Sequence, residues 1–232
     1  MVEPVNTPRA LPASGDRSPP GAASTADRIL TEAARLFATK GFAGTSTRDI
    51  ATAVGIQQPG LYKHFESKDA ILLAMFDAMF ARTVSVGEAL LRIDARAGAR
   101  LFRFLSELMR PALYSPFAVA SIFRTPELRL PQFAPIREMS ELSNTFVREL
   151  VEQGIAEGDL REISLDAAPR IVFGILDLLA SVMYPEPTEL EIDELLQFAL
   201  HGLARDGRRA RSIWRQAAAI DLSGELAQDV IE

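Results

Sequence analysis

From about residue 25 onward, the apolar residues of this chain recur with the spacing of an α-helix. Ile29, Ala33 and Leu36 fall on one face of such a helix, and similar spacing returns in later segments. Glycine and proline separate these segments, and no sustained alternation of apolar and polar residues predicts a sheet. The sequence therefore predicts an all-α fold.

Capping residues and helix breakers mark the ends of the predicted helices. Ser46 stands three residues before Asp49, which is the spacing of a capping box, and Gly55 closes the short helix that follows. Gly41 ends the helix before it, and Ser67 caps a longer helix after it. Farther along, the pattern predicts helices near 97–114, 116–125, 135–155, 165–184, 188–204 and 208–220.

Charge and proline are distributed unevenly along the chain, whose net charge is −6. Residues 1–22 contain five prolines and no periodic apolar face, so we expect a disordered tail. Residues 24–68 are net +2, whereas residues 69–232 are net −8. A basic head on an acidic body indicates that only the head faces a polyanion, although random scatter of surface charge would explain the same counts.

Several kinds of site lack the residues that they need. Cysteine is absent, and the two histidines, His64 and His201, are far apart, so we expect no metal site. Phosphate-binding glycine loops, nucleophile elbows and zinc-protease motifs are also missing, so we predict no catalytic site and no cofactor. The acidic cluster at 189–194 fits the first turn of a helix better than a cation site.

A membrane location is not expected either. The apolar run Ile171–Leu176 stops at Asp177, far short of the ~20 residues that span a bilayer. The N-terminus has no apolar signal core. We therefore expect a soluble, cytoplasmic protein.

Residues 46–65 have the pattern of a helix-turn-helix motif. Ile50, Val54 and Leu61 have the spacing of an apolar wedge between two short helices, and Ala51 is small where these helices cross. Gly55 can adopt the positive φ that the tight turn needs. The motif predicts a DNA-binding unit.

Burial of that wedge would turn four polar side chains outward: Gln57, Gln58, Tyr62 and Lys63. A glutamine can pair with adenine, whereas a lysine or a tyrosine hydroxyl can contact a phosphate. These residue types favour a surface that both reads and holds DNA.

Three blocks of sequence around the motif resemble the DNA-binding head of TetR-family transcriptional regulators. They are AARLFATKGF (33–42), TSTRDIA (45–51) and LYKHFESKDAIL (61–72). The resemblance implies an Ω-shaped homodimer that places two heads in successive major grooves. It also implies a DNA-binding domain at 23–83, with its motif at 46–65, and a ligand-binding and dimerisation domain at 84–225.

The resemblance assigns DNA contacts to Thr45, Thr47, Arg48, Gln57, Gln58, Gly60, Tyr62, Lys63, His64 and Lys68. The two glutamines would read bases, Arg48 would reach a phosphate or a base, Gly60 would permit close approach, and the others would contact phosphates. The chain departs from the common pattern at Gln57, where serine is frequent, and at Pro59-Gly60, which favours the glutamines as base readers.

Some of these residues also have structural interpretations. Tyr62 could pack against Phe65 and the fourth helix, and His64 could be a partly buried packing residue. Lys63 and Lys68 could be solvated surface charges, and Gly60 could relieve crowding against the first helix.

The family also implies a ligand cavity between the helices of the body. Its predicted lining is Phe102, Leu105, Met109, Tyr114, Phe123, Phe146 and Phe173. Such a lining predicts an apolar or aromatic effector, oriented by a few polar groups. Candidates for those groups are Arg103, Arg124, Tyr114 and Asp177. Taken singly, each of these residues could instead belong to the core or the surface.

Residues 165–204 are predicted to form the homodimer interface. The segment 171–183 is apolar on almost every face, and such a helix must be covered all round. The next helix adds a wide apolar stripe, so two helices per subunit could form a four-helix interface, in which Gly174 would allow close approach. An intrachain core is the alternative.

Near the C-terminus, five arginines occur between Arg205 and Arg215, beside the single tryptophan, Trp214. The tryptophan is expected to anchor a terminal helix to the body. The arginines could touch nucleic acid, but a solvated helix face is the favoured interpretation.

Together these features predict a repressor that an apolar small molecule releases from a palindromic operator. A DNA-binding regulator or architectural protein without small-molecule control is the alternative within DNA binding. An all-helical enzyme or partner-binding module would be a different class.

Overall fold

The computed structural model describes residues 24–114, 126–182 and 189–224, and in these ranges the chain is helical. The helices are α1 (Thr25–Lys40), α2 (Thr47–Val54), α3 (Gln58–Leu61), α4 (Lys68–Arg92), α5 (Ala97–Tyr114), α6 (Ala134–Ala156), α7 (Ala168–Val182), α8 (Glu189–Leu203) and α9 (Gly207–Ala219). Two 3-10 turns, Pro126–Arg129 and Pro131–Phe133, precede α6. No strand occurs in the described ranges, so the all-α prediction is confirmed.

The predicted helix positions agree closely with the observed ones where both can be compared. The capping box of Ser46 and Asp49 begins α2, and Ser67 caps α4 by accepting from the amide of Ala70. The predicted helix at 116–125 and the predicted tail at 1–22 lie outside the described residues.

The head has its own apolar core, to which α1, α2, α3 and the first half of α4 contribute. Two apolar side chains from just before and within α6 complete it, since Phe133 and Ile136 are also buried there. The ring of Phe133 meets that of Phe42 edge-on, with 5.9 Å between their centroids. The core of the head therefore includes residues far along the chain.

Helix α4 runs through the predicted domain boundary at 83/84. Phe76 and Phe80 pack in the core of the head, whereas Val86 and Leu90 pack in the core of the body. An apolar helix needs no break where it passes from one core to the next, so nothing in the sequence stops it at residue 83.

By length and composition alone α4 could cross a membrane, with a mean hydropathy of 1.5 over its most apolar 18-residue window. Such a composition is also typical of a central core helix. The packing of α4 in two cores fits this second description.

The body is organised around α5, which packs against α4, α6, α7, α8 and α9. Trp214 of α9 is buried against Phe102 of α5, with their ring centroids 5.3 Å apart. The predicted anchoring of the terminal helix by this tryptophan is thus confirmed.

A buried carboxylate ties three segments together at the far end of the body. Asp159 follows α6 and accepts hydrogen bonds from Arg96, with Nε and Nη2 at 2.8 and 2.7 Å. Arg209 of α9 lies 3.5 Å from the same carboxylate. The pKa of Arg96 is raised, chiefly by its hydrogen bond to Asp159, so this guanidinium stays charged.

Candidate nucleic-acid interface

The apolar wedge of the helix-turn-helix motif is buried as predicted. Ile50 and Leu61 are completely buried and Val54 is 4% exposed. Gly55 ends α2 in the left-handed region, with φ 78° and ψ 31°, which lets the chain turn directly into α3. The wedge therefore sets which faces of α2 and α3 point to solvent.

Three polar side chains connect α2 to α3 on that solvent face. The amide Nε2 of Gln58 donates to the hydroxyl of Thr47 at 3.0 Å and lies 3.4 Å from the hydroxyl of Tyr62. The Thr47 and Tyr62 hydroxyls are 3.3 Å apart. We call these residues the polar triad. It holds an amide and two hydroxyls, groups that can contact bases and phosphates, on one surface.

Tyr62 lies at the surface. This residue is 49% exposed, and its hydroxyl is the part that contacts Thr47 and Gln58. His64 is exposed too, so it is not the partly buried packing residue of the alternative interpretation.

Three further predicted residues surround the triad. Arg48, Gln57 and Lys63 are all exposed. Gln57 is the N-cap of α3, but its side chain makes no capping hydrogen bond, so its amide is available to a ligand.

Glycine at position 60 is not required by internal packing. A Cβ at Gly60 would meet only Ile56, at an ordinary van der Waals distance of 3.9 Å, and the backbone φ is not positive. The proposed crowding against the first helix is therefore absent from the contacts of this glycine.

Thr45 and Lys68 are used inside the head. Thr45 is 2% exposed, and its hydroxyl lies 2.9 Å from the carbonyl of Gly41 and 3.2 Å from that of Leu36. The Lys68 ammonium donates to the carbonyls of Phe42 and Thr45, at 2.7 and 2.8 Å, and sits 4.2 Å from the centre of the Phe42 ring. Both side chains hold the loop between α1 and α2, so their polar groups already have partners within the head.

Sequence reasoning missed one residue that supports the site. The Arg28 guanidinium donates to the carbonyl of Val54 at the end of α2, where helix carbonyls lack partners. The two residues are 26 positions apart, so local sequence patterns contain no signal for this contact.

The start of α2 carries a carboxylate with a perturbed pKa. Ser46 donates to Asp49 from its amide at 2.9 Å and from its hydroxyl at 2.5 Å. These bonds, the hydroxyl first, lower the pKa of Asp49, and the charge of Lys40 lowers it further. The capping carboxylate thus stays ionised beside the exposed surface.

Comparison with known proteins agrees with this geometry. The family described as "Bacterial regulatory proteins, tetR family" matches residues 29–75. The transcriptional repressor KstR2 of Rhodococcus jostii is 31% identical over 153 residues, which cover 62% of this chain and 72% of the relative.

The chain belongs to the TetR family. It is thus a DNA-binding transcriptional regulator with a helix-turn-helix head.

Solved structures share the fold of this TetR-family chain. AmtR of Mycobacterium smegmatis aligns with a TM-score of 0.67 at 24% identity, over 92% of this chain and 98% of that one. AibR, solved with isovaleryl coenzyme A and operator DNA, aligns with a TM-score of 0.62 at 22% identity, over 75% and 97%. The arrangement of head and helical body is therefore that of other TetR-family proteins.

Four of the residues predicted to line a ligand pocket have described side chains in the TetR-family body. Phe102, Leu105 and Phe146 are buried, and Phe173 is half-buried near Phe104. Phe102 packs on Trp214 and belongs to the core. The side chains of Met109, Tyr114 and Phe123 lie outside the described residues.

Among the polar candidates, Arg103 has a defined place. It is 2% exposed, and its Nη2 lies 2.8 Å from the carboxylate of Glu107, which also lies 3.3 Å from Arg82. A buried charged group is thus present among the apolar side chains of the body. Arg124 and the side chains of Tyr114 and Asp177 lie outside the described residues.

We expect Ser46→Ala to raise the pKa of Asp49 toward its ordinary value, since the largest cause of the lowering is the Ser46 hydroxyl. A lowered pKa adds stability above the ordinary carboxyl range, and this is lost as the pH falls through the folded value. As the pH is lowered, α2 of the variant should therefore lose order at a higher pH than α2 of the wild type. An NMR titration that follows Asp49 measures the change in pKa. Thr52→Ala is the matched control, because it removes a hydroxyl of α2 that donates to the backbone carbonyl of Arg48 and makes no contact with Asp49. An Asp49 pKa unchanged by Ser46→Ala would contradict the assignment.

Proposed function

We propose that this protein is a repressor that binds a palindromic operator as a homodimer and is released by an apolar small molecule. The observation that carries the proposal is the polar triad, displayed on the solvent face of a helix-turn-helix head. The relative KstR2 is named a transcriptional repressor, which supports repression as the action of this protein. Small-molecule control has support from AibR, which was solved with both a ligand and operator DNA.

Base reading and phosphate holding are assigned to different residues of the head. Gln57 and Gln58 stand at the start of α3, the end of a recognition helix that enters the major groove. The polar surface around the two glutamines would contact phosphates. It consists of Thr47, Arg48, Tyr62, Lys63 and His64. Gly60 would let the DNA approach closely.

In this proposal Thr45 and Lys68 support the head without touching DNA. Their polar groups already bond to the carbonyls of the α1–α2 loop. Moving the Lys68 ammonium to a phosphate would leave those carbonyls unsatisfied, and that cost would offset the benefit of a new phosphate contact.

Gln58→Ala should weaken binding to the proper operator by roughly 1–3 kcal/mol per half-site while changing non-specific binding little, because a bidentate pair with adenine carries sequence information. Lys63→Ala should weaken binding to all DNAs alike and reduce the salt slope by about one per subunit. Fluorescence anisotropy with operator and scrambled duplexes, at several salt concentrations, measures both effects.

Two further variants make that experiment decisive. Gln57→Ala tests the neighbouring register, and Lys68→Ala should lower the melting temperature without the salt signature of a lost phosphate contact. If neither glutamine variant changes the ratio of specific to non-specific affinity, the assignment of the recognition surface is wrong. If the wild type shows no sequence-selective binding to DNA flanking its gene, the enzyme or partner-binding class becomes the better interpretation.

Homodimerisation through residues 165–204 has support from an exposed apolar face. Phe198 of α8 is 76% exposed and Ile171 of α7 is 37% exposed. A Cβ built at Gly174 or at Gly202 would meet no atom of the described chain within 4 Å. A large exposed aromatic beside open glycine positions suits close packing of helices from a second copy.

Phe198→Glu should convert the dimer to a monomer at micromolar concentration, because it places a charge at the centre of an apolar interface. Loss of such an anchor typically weakens association by about 100-fold. Leu142→Glu alters an apolar side chain on α6 that is 46% exposed, and it should leave the dimer intact. Light scattering of the three proteins decides the point: a monomeric wild type or a dimeric Phe198→Glu protein would refute this interface.

The effector is proposed to be apolar or aromatic and to bind among the helices of the body. Phe146, Phe173 and Leu105 supply apolar surface there, and the paired Arg103 offers a buried charge beside it. Met109, Tyr114 and Phe123 belong to the same proposal on sequence grounds. A paired arginine would suit a ligand with a carboxylate or other anionic end.

A library of hydrophobic compounds should contain molecules that raise the melting temperature of the protein and release it from operator DNA. Ligand binding to the folded state stabilises it by about 2.7 kcal/mol at 100 times the dissociation constant. If no compound does either, a regulator without small-molecule control becomes the better interpretation.

The remaining parts of the proposal concern organisation and setting. We propose that residues 23–83 bind DNA and residues 84–225 bind ligand and dimerise, with α4 shared between them. The protein would act in the cytoplasm, without catalytic activity or cofactor, as expected for a relative of transcriptional regulators.

A further inference from the structure

A groove lined by arginines lies at the end of the body that carries Asp159. Its lining side chains come from α9 and the turn before it: Arg205, Asp206, Arg208, Arg209, Ser212 and Arg215. The groove has a volume of about 500 Å³. We call it the arginine groove.

Positive charge is concentrated in the segment that forms this groove. Residues 205–215 contain five arginines and one aspartate, net +4, in a chain whose net charge is −6. Like charges held close together repel one another, so such a cluster is costly unless an anion neutralises it.

The helix that carries the cluster is held firmly. Ala210, Ile213, Trp214 and Ala217 are buried, so one face of α9 is fixed to the body and the opposite face must point outward. Arg208 and Arg215 lie on that exposed part, seven residues apart and thus on the same side of the helix. Their guanidinium groups are presented from a rigid support.

Negative groups near the groove are already engaged. Asp206 caps α9 by accepting from the amides of Arg208 and Arg209, both at 2.8 Å, and these bonds lower its pKa. Arg209 lies 3.5 Å from the buried Asp159. Arg205, Arg208 and Arg215 form no ion pair with any acidic side chain of the described residues. The lining contains four arginines and a single carboxylate, that of Asp206.

A hydroxyl donor completes the lining. Ser212 Oγ accepts a hydrogen bond from Gln216 at 2.9 Å, which leaves its own hydrogen as a donor. The lining therefore offers many hydrogen-bond donors, from guanidinium groups and a hydroxyl, and few hydrogen-bond acceptors. Such a lining suits a ligand that is rich in acceptor oxygens.

We propose that the arginine groove binds a small molecule carrying two or more linked phosphate groups, such as the polyphosphate part of a nucleotide. Arginine forms bidentate, charge-assisted hydrogen bonds with phosphate oxygens, and several such groups match several phosphates better than one carboxylate. The volume lies within the range of small-molecule sites, about 300–1,000 Å³.

The position of the groove favours a free ligand over the DNA held by the head. Ile136, in the first turn of α6, packs in the core of the head, whereas Asp159 follows the end of that helix and lies beside Arg209. The roughly 20 residues from Ile136 to Ala156 span about 30 Å along the helix axis. The groove and the recognition surface are therefore at opposite ends of α6.

The test uses tripolyphosphate and ATP as probes of the full-length protein, by calorimetry at physiological ionic strength. Both should bind the wild type with one site per subunit. The double variant Arg208→Gln/Arg215→Gln should lose about tenfold or more in affinity, because it removes two charged hydrogen-bond partners. Arg211→Gln removes the same charge from the same helix outside the groove lining, and should lose no more than about twofold through long-range attraction.

Three outcomes would overturn the proposal. The first is that neither probe binds the wild type. The second is that Arg211→Gln loses as much probe affinity per removed charge as Arg208→Gln/Arg215→Gln, which would indicate diffuse attraction without a site. The third concerns nucleic acid: if Arg208→Gln/Arg215→Gln abolishes the residual binding of scrambled duplex DNA by a Gln58→Ala/Lys63→Ala protein, the groove holds DNA phosphates. Folding is checked by the melting temperature, which these exposed substitutions should not lower, since they relieve repulsion between like charges.

Discussion

Burial of the wedge between α2 and α3 is the constraint on which the recognition surface depends. Ile50, Val54 and Leu61 occupy the sides of these short helices that face the core, so Gln58 and Tyr62 have to face outward. A helix of about four residues has no stability of its own. The direction of every polar group on α3 therefore derives from apolar contacts beneath it, and the hydrogen bonds of the polar triad refine a geometry that packing has already set.

What could be predicted from the sequence was local, and what could not depends on contacts between distant residues. The capping box at Ser46 and the glycine at Gly55 act within a few positions, so the limits of α2 followed from the sequence. The internal hydrogen bonds of Lys68 could not be predicted because its carbonyl partners lie 23 and 26 residues earlier, and an isolated lysine pattern resembles a phosphate contact. The end of α4 could not be predicted because its apolar residues serve two cores in succession.

Apolar patterns in the body carried even less information, because the same residue types fill cores, line cavities and form interfaces. Phe102 was expected to line a pocket and is found packed on Trp214 in the core of the body, whereas Phe198 came from the same kind of stripe and is largely exposed. Periodicity identifies the apolar face of a helix but does not identify what covers it. The arginines near the C-terminus pose the same problem for charge, since their convergence on one groove is visible only in three dimensions.

The insertion of Phe133 and Ile136 into the core of the head has a consequence for how this chain unfolds. The head cannot open without exposing side chains that belong to the start of α6, and α6 in turn contributes Val147 and Leu150 to the core of the body. Together with the continuous α4, this arrangement links the two cores through two covalently continuous helices. Heat or denaturant should therefore melt head and body in a single cooperative transition, even though each has an apolar cluster of its own.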